Sequence, residues 1–141
     1  MPGTRKIATA VGFVIHLLIG LLLVFAGYAK LSGGMPAEVM EKLAARGLSD
    51  WIKIIAVGEI VVAVLLVLPW TMPVGLLLES ALWGGIILEN METGQSFTPF
   101  AVMMILSWAA AALRYPPILG AAFLPKPEAA PAPAPAPAPT A

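Results

Sequence analysis

Apolar side chains occur in long runs that are separated by short polar segments. The runs cover residues 7–29, 51–70, 72–88 and 99–113, and the first of them contains no charged side chain. A helix needs about 20 predominantly apolar residues to cross a bilayer. The pattern therefore predicts an all-α fold, an integral membrane bundle of four spanning helices.

Two of these runs contain a carboxyl group, Glu59 in the second and Glu79 in the third. A charge at the centre of a span costs roughly 3 kcal/mol, and each Leu, Ile or Val returns about 0.3 to 0.6 kcal/mol. The second run is so rich in these three residues that its sum exceeds the cost. We expect it to insert despite Glu59.

The connections between the runs carry their own signals. Residues 36–46 read as a short amphipathic helix closed by Gly47 and lying flat in the membrane interface. Residues 89–97 read as a polar loop on the same side. Pro69 and Pro73 bracket a turn that suits only an antiparallel hairpin.

The fourth run is expected to begin at a capped helix end. Thr98 is a suitable cap, and Pro99 follows at the first helical position, where proline is favoured. Residues 1–117 then form one four-span domain. Residues 118–141 form a Pro/Ala-rich tail, which from residue 125 is nearly alternating Ala-Pro and is predicted to be a disordered spacer.

The composition agrees with a lipid environment. Of the 141 residues, 60% are hydrophobic and 11% are charged, with a formal net charge of zero. Nothing in this charge balance favours nucleic acid as a partner. The absence of cysteine excludes disulfides and thiol redox chemistry, and with them the four-helix thiol-quinone oxidoreductases.

Four spans place both termini on the same side of the membrane, here called the terminal side; the opposite side is called the loop side. Basic residues are equally divided between the two sides, with Arg5, Lys6, Arg114 and Lys126 on the terminal side and Lys30, Lys42, Arg46 and Lys53 on the loop side. The Arg5-Lys6 pair directly before the first run favours cytoplasmic termini in a multi-pass inner-membrane protein. That run is longer than the apolar region of a signal peptide, so we expect it to remain as a span.

One polar side chain lies deep in each run: His16, Glu59, Glu79 and Ser107. The helical rise places all of them roughly 10 to 15 Å from the terminal side. We predict that they face inward as one polar layer, with Glu59 hydrogen-bonded to His16 or Glu79. Such a layer could bind a ligand or relay a proton, or it could only fix the packing of the helices.

Lys30 ends the first run. Counted by the same rise, it lies roughly 20 Å in depth from Glu59, so no direct pairing is expected. Glu89 or Glu92 is the predicted partner.

Metal binding is the weaker interpretation of the polar layer. His16 with the two glutamates could supply three ligands, but the paired Glu-x-x-His motifs of di-iron carboxylate bundles are missing. A single histidine cannot supply two imidazoles to a haem, which would then need a methionine. No metal site is predicted.

The segment Gly27-Tyr28-Ala29-Lys30-Leu31, the Gly47-Leu48 pair and Glu59 together resemble the DoxX-like family of small four-helix membrane proteins. The resemblance covers roughly residues 10 to 115. Of the family pattern, only Gly27, Lys30 and Glu59 carry over. Relatives often have a histidine near the end of the third span, where this chain has Leu88-Glu89-Asn90.

The resemblance implies a subunit that supports a quinone-linked membrane redox system, with quinone as the candidate cofactor and membrane-protein subunits as partners. Whether the chain itself is catalytic stays open. Two alternatives remain from the residues alone. The chain could be a non-enzymatic structural or assembly subunit, or a small proton-coupled transporter that uses its carboxyls.

Overall fold

The computed structural model describes residues 2–118, which are helical apart from short connections. The α-helices are α1 Pro2–Ser32, α2 Ala37–Ala45, α3 Ile52–Val67, α4 Met72–Glu92 and α5 Thr98–Arg114. One 3-10 turn, Ser49–Trp51, leads into α3. The all-α prediction is confirmed for the described part of the chain.

Two helices are longer than their apolar runs predict. α1 extends past residues 7–29 at both ends and stops only before Gly33, whose φ of 72° ends the helix. α4 continues past residue 88 to Glu92, so the polar loop predicted for 89–97 is wrong for its first four residues. The Asn90 side chain donates a hydrogen bond to the carbonyl of Ile86 and so supports the added turn.

The start of α5 also differs in detail from the prediction. Thr98 is the first helical residue, and Phe97 occupies the cap position without any side-chain cap bond. The predicted Thr98 cap is therefore wrong. Pro99 does lie in the first two positions of the helix, where its missing N–H leaves no intrahelical bond unmade.

The four long helices pack around a shared core. α1 packs against α3 and α5, and α4 packs against the same two helices. The turn between α3 and α4 is tight because Gly75 lies directly against the backbone of Leu65 and Leu66, where a Cβ would overlap. The core is built mainly from Ile19, Leu23, Val62, Ala63, Leu66, Met72, Leu76, Trp83 and Ala111.

The outward faces of the helices remain apolar. Leu18, Phe25, Leu77 and Ile105 are each more than 60% exposed. Two helices, Gly3–Ser32 within α1 and Met72–Glu92, are long and apolar enough to cross a membrane, and only 28% of the most apolar stretch of each is buried.

The helix predicted at residues 36–46 is present as α2, and Gly47 closes it with a φ of 68°. It has no buried residue and contacts mainly the 3-10 turn. An ion pair between Arg46 and Glu89 ties its end to α4. Of the predicted tail, only Ile118 lies within the described residues, where it packs against the core.

Candidate functional site

The four polar residues expected inside the bundle are all buried. His16 and Glu79 have no exposed surface, Ser107 is 1% exposed and Glu59 is 5% exposed. They come from α1, α4, α5 and α3 respectively. Their hydrogen bonds divide them into two separate groups.

The first group is an ion pair between α1 and α3, here called the loop-side pair. The Lys30 Nζ atom donates to both oxygens of Glu59, at 2.8 and 2.7 Å. The Lys30 side chain is 14% exposed and that of Glu59 is 6% exposed. A carboxylate in this position is neutralised directly by a cation on the neighbouring helix.

The prediction that Lys30 does not reach Glu59 is wrong. Side chains lean toward the N-terminus of their own helix, and α1 and α3 run in opposite directions. Lys30 and Glu59 therefore lean toward each other, which a count of backbone rise does not include. Glu89, proposed as the partner of Lys30, pairs with Arg46 instead.

A close contact between α1 and α3 supports this pair. A Cβ placed on Gly27 would lie 2.7 Å from the carbonyl oxygen of Ala56 and 2.9 Å from a side-chain atom of Ile60. Only glycine allows the two backbones to come this near. Gly27 thus brings the helices together within one turn of Lys30.

The second group, here called the terminal-side network, consists of Glu79, Trp83, Ser107, His16 and Arg114. The Oε1 atom of Glu79 accepts hydrogen bonds from Ser107 Oγ at 2.5 Å and from Trp83 Nε1 at 2.7 Å. The Oε2 atom is buried and has no hydrogen-bond partner among the described residues. This carboxyl is solvated by neutral donors.

His16 connects Ser107 to Arg114. Its Nε2 atom lies 2.9 Å from the carbonyl oxygen of Ser107, and its Nδ1 atom lies 2.7 Å from Arg114 NH1. A carbonyl can only accept and a guanidinium can only donate. These partners assign the proton of a neutral imidazole to Nε2 and leave Nδ1 as the acceptor.

Arg114 also closes the C-terminal end of α3. NH1 donates to the carbonyl of Leu66 at 2.9 Å, and NH2 donates to that of Val67 at 2.8 Å. These carbonyls belong to the last turn of α3 and have no intrahelical partner. The cation thus holds α5 against α3 and orients His16 on α1.

The expected single layer is therefore not what the structure shows. Gly27 lies beside the turn of α3 that contains Glu59, between Ala56 and Ile60, and His16 is about 16 Å farther along α1 by helical rise. Counting from residue 7 overestimates the depth of His16, because α1 extends beyond its neighbours on the terminal side. The predicted hydrogen bond from Glu59 to His16 or Glu79 is not formed.

Trp83 and Arg114 are members of the network that the sequence does not mark as site residues. Both lie on the inward face of their helix, with Trp83 one turn after Glu79 and Arg114 two turns after Ser107. This spacing is the only sequence signal for their roles. It does not show that their polar atoms reach buried partners.

The network ends at a cavity of about 1040 Å³ on the terminal side. Arg114 lines this cavity together with Phe13, Trp70 and Tyr115. The guanidinium lies 5.3 Å from the centre of the Phe13 ring, a cation–π distance. Buried Glu79 is thus linked through Ser107, His16 and Arg114 to the wall of an open space.

Within residues 2–118, no three His, Asp or Glu side chains come together as a metal site. Comparison of the chain with protein-family models, curated proteins and solved structures finds no match. The DoxX-like resemblance stays a prediction. Its three residues, Gly27, Lys30 and Glu59, do meet at one contact between α1 and α3.

Proposed function

We propose that this chain is a multi-pass membrane protein with four spanning helices, α1, α3, α4 and α5. The apolar outer faces of these helices support the proposal, because a soluble protein rarely exposes so large a contiguous apolar surface. The low burial of α1 and α4 also argues against their being the core helices of a soluble domain.

The shorter helices are compatible with this proposal. Ser49–Trp51 and α3 follow one another without a break up to Val67 and form a helical path of about 28 Å, close to the roughly 30 Å of the hydrocarbon core. Trp51 and Trp70 flank this path and are 57% and 81% exposed. Exposed tryptophans at both ends of a span are typical of the two membrane interfaces. Because the Arg5-Lys6 pair directly precedes the first span, we propose that both termini lie in the cytoplasm.

Within the membrane, we propose a subunit that supports a quinone-linked redox system. Reduction of a quinone to a quinol consumes two electrons and two protons. We assign both electrons and one of the protons to a partner redox subunit, and the supply of the other proton to this chain. Glu79 is the residue that we assign to this step.

The observation that carries the proposal is the difference in how the two buried carboxyls are held. Protonation of Glu59 would break its ion pair with Lys30. Protonation of Glu79 would break no ion pair, and its Oε2 atom has no hydrogen bond to lose among the described residues. Glu79 is therefore better suited than Glu59 to take up and release a proton.

The test compares Glu79→Gln and Glu79→Asp with the wild type in membranes that contain the native redox partners. Loss of a positioned proton donor typically costs about 100-fold or more in rate. We expect Glu79→Gln to lower quinone reduction by that amount while the protein remains in the membrane at normal abundance. Glu79→Asp is expected to restore part of the rate. Unchanged quinone turnover in Glu79→Gln would show that Glu79 does not supply the proton.

A structural or assembly subunit is the second candidate. It is favoured by the fact that the bonds of Lys30, His16, Ser107 and Arg114 each join two different helices. In this case Glu79→Gln leaves quinone turnover intact. Deletion of the chain instead removes partner subunits from the complex, which purification in mild detergent detects.

A further inference from the structure

The terminal-side cavity has a charge pattern that the proton role of Glu79 does not use. Three basic residues, Arg5, Lys6 and Arg114, line it, and no acidic residue of the segment 2–118 does so. The described hydrogen bonds of Arg114 use three of its five N–H groups. Arg5 and Lys6 are both exposed, and neither forms an ion pair within residues 2–118.

An apolar groove lies next to this cavity, between α1 and α3. It has a volume of about 240 Å³, and its lining among the described residues is entirely apolar and includes Leu17, Leu21 and Leu68. Leu17 is one helical turn beyond Phe13 of the cavity wall, and Leu68 is bonded to Pro69, also in that wall. The groove thus lies directly beside the cavity, between the outer faces of α1 and α3.

We propose that the cavity and the groove together bind one anionic phospholipid from the leaflet on the terminal side. The phosphate lies among Arg5, Lys6 and Arg114, and one acyl chain lies in the groove. This inference rests on the membrane part of the proposed function and is independent of the proton role of Glu79.

The features of the site favour a lipid over a soluble anion. A soluble anion needs the cationic cavity but has no use for an adjoining apolar groove. Trp70 and Tyr115 in the cavity wall are 81% and 52% exposed, as expected for aromatic residues at headgroup level. Basic clusters beside a span on the cytoplasmic side attract anionic lipids.

The test is native mass spectrometry of the full chain, released from micelles that contain phosphatidylglycerol or phosphatidylcholine with the same acyl chains. We expect one phosphatidylglycerol to remain bound in preference to phosphatidylcholine. The double variant Arg5→Gln/Lys6→Gln should bind phosphatidylglycerol roughly 25-fold more weakly, about fivefold for each cation removed. Arg114 is left intact because it also holds α3, α5 and His16.

The matched control is Lys42→Gln/Lys53→Gln, which removes two cations from the loop side. It should leave the lipid preference unchanged. A second pair of variants tests the groove. Leu21→Trp fills it and should weaken binding about tenfold, whereas Leu18→Trp changes an exposed residue of the same helix outside the groove and should have no effect.

Three outcomes overturn the lipid site: equal retention of both lipids, equal loss in the Lys42/Lys53 control, or displacement of the lipid by millimolar inorganic phosphate. Each of these can occur in a chain that inserts into bilayers and supports quinone turnover. Failure of the lipid site is therefore distinguishable from failure of the proposed function. Failure of the wild-type chain to incorporate into lipid nanodiscs would instead overturn both.

Discussion

The two buried carboxyls of this protein have opposite surroundings. Glu59 in the loop-side pair has a cation at hydrogen-bond distance on the neighbouring helix. Among the described residues, Glu79 in the terminal-side network receives only neutral donors, from Ser107 and Trp83, and is linked to Arg114 through Ser107 and His16. Glu59 is thus half of an ion pair, whereas Glu79 is an acid that accepts hydrogen bonds from neutral donors.

The difference separates stability from proton chemistry. A buried ion pair is stable only while both partners remain charged, so Glu59 is suited to locking α1 to α3. A carboxyl among neutral donors can change its protonation state without leaving a partner unpaired. We therefore propose a structural role for Glu59, the carboxyl of the family resemblance, and the proton role for Glu79.

The largest expected effect comes from removing one half of the loop-side pair. Lys30→Met leaves the buried Glu59 without its cation and should lower the free energy of unfolding by about 3 to 5 kcal/mol. Denaturation by SDS from mild-detergent micelles measures this change.

The double variant Lys30→Met/Glu59→Met is the matched control. Replacement of both charges by apolar groups of similar size is often neutral or stabilising, so most of the lost stability should return. A single variant as stable as the wild type would contradict the ion pair. A double variant as unstable as Lys30→Met would show that the loss does not come from an unpaired carboxylate.

Close helix contacts give the next largest effect and are present beside both groups. A Cβ on Gly27 meets Ala56 near the loop-side pair, and a Cβ on Gly12 meets the carbonyl oxygen of Ala110 at 2.5 Å near the network. Because backbone atoms cannot move aside easily, each change to alanine should destabilise the fold by about 2 kcal/mol. Thermal unfolding in micelles measures this.

Gly58→Ala is the control for the glycine variants, since no atom lies within 4 Å of an added Cβ there. Its expected effect is a gain of up to about 1 kcal/mol from helix propensity. Only Gly27→Ala should also disturb the Lys30–Glu59 contact. If Gly12→Ala, Gly27→Ala and Gly58→Ala change the stability equally, the close approach of α1 and α3 at Gly27 does not hold the Lys30–Glu59 pair in place.

The sequence predicts the helices and the buried residues well and their partners poorly. Hydrophobic runs locate α1, α3, α4 and α5, and a polar residue within each run marks His16, Glu59, Glu79 and Ser107. Their grouping depends on the relative shift of neighbouring helices and on the lean of their side chains. Neither the relative shift nor the lean can be obtained from the sequence of one helix alone. A count of helical rise therefore does not predict the Lys30–Glu59 pair.

A smaller effect is expected from the hydrogen bond that joins Ser107 to Glu79. Ser107→Ala removes one of the two donors to Oε1 and should cost about 1 kcal/mol of stability. Because the acid is then less well oriented, quinone turnover should also fall, which a purely structural bond would not require. Unfolding and turnover are measured on the same preparation.

Ser80→Ala is the matched control for Ser107→Ala. Ser80 lies outside the network, where its hydroxyl donates to the carbonyl of Leu76 and accepts a hydrogen bond from Trp108. A similar loss of stability without any loss of turnover is expected. Equal quinone turnover in Ser107→Ala and Ser80→Ala would show that Ser107 does not contribute to the proton role of Glu79.

The smallest effect belongs to the second Lys–Glu pair of the described residues, which has the chemistry of the loop-side pair in a water-exposed setting. Lys42 lies 2.9 Å from Glu38 on α2, and the two side chains are 49% and 78% exposed. The hydrogen bond and the charge of Lys42 hold the pKa of Glu38 below its ordinary value of 4.5. The pair therefore stabilises α2 fully above pH 4.5, and this stabilisation is lost as the pH falls through the folded pKa.

Hydrogen exchange of residues 37–45 between pH 7 and pH 3 measures this loss, after correction for the intrinsic exchange rate. We expect a slight decrease in protection that is absent in Glu38→Gln. Since solvent screens an exposed pair, the change should be far smaller than the effect of Lys30→Met. If acid destabilised α2 as strongly as Lys30→Met destabilises the bundle, burial would not be the reason for the strength of the Lys30–Glu59 pair.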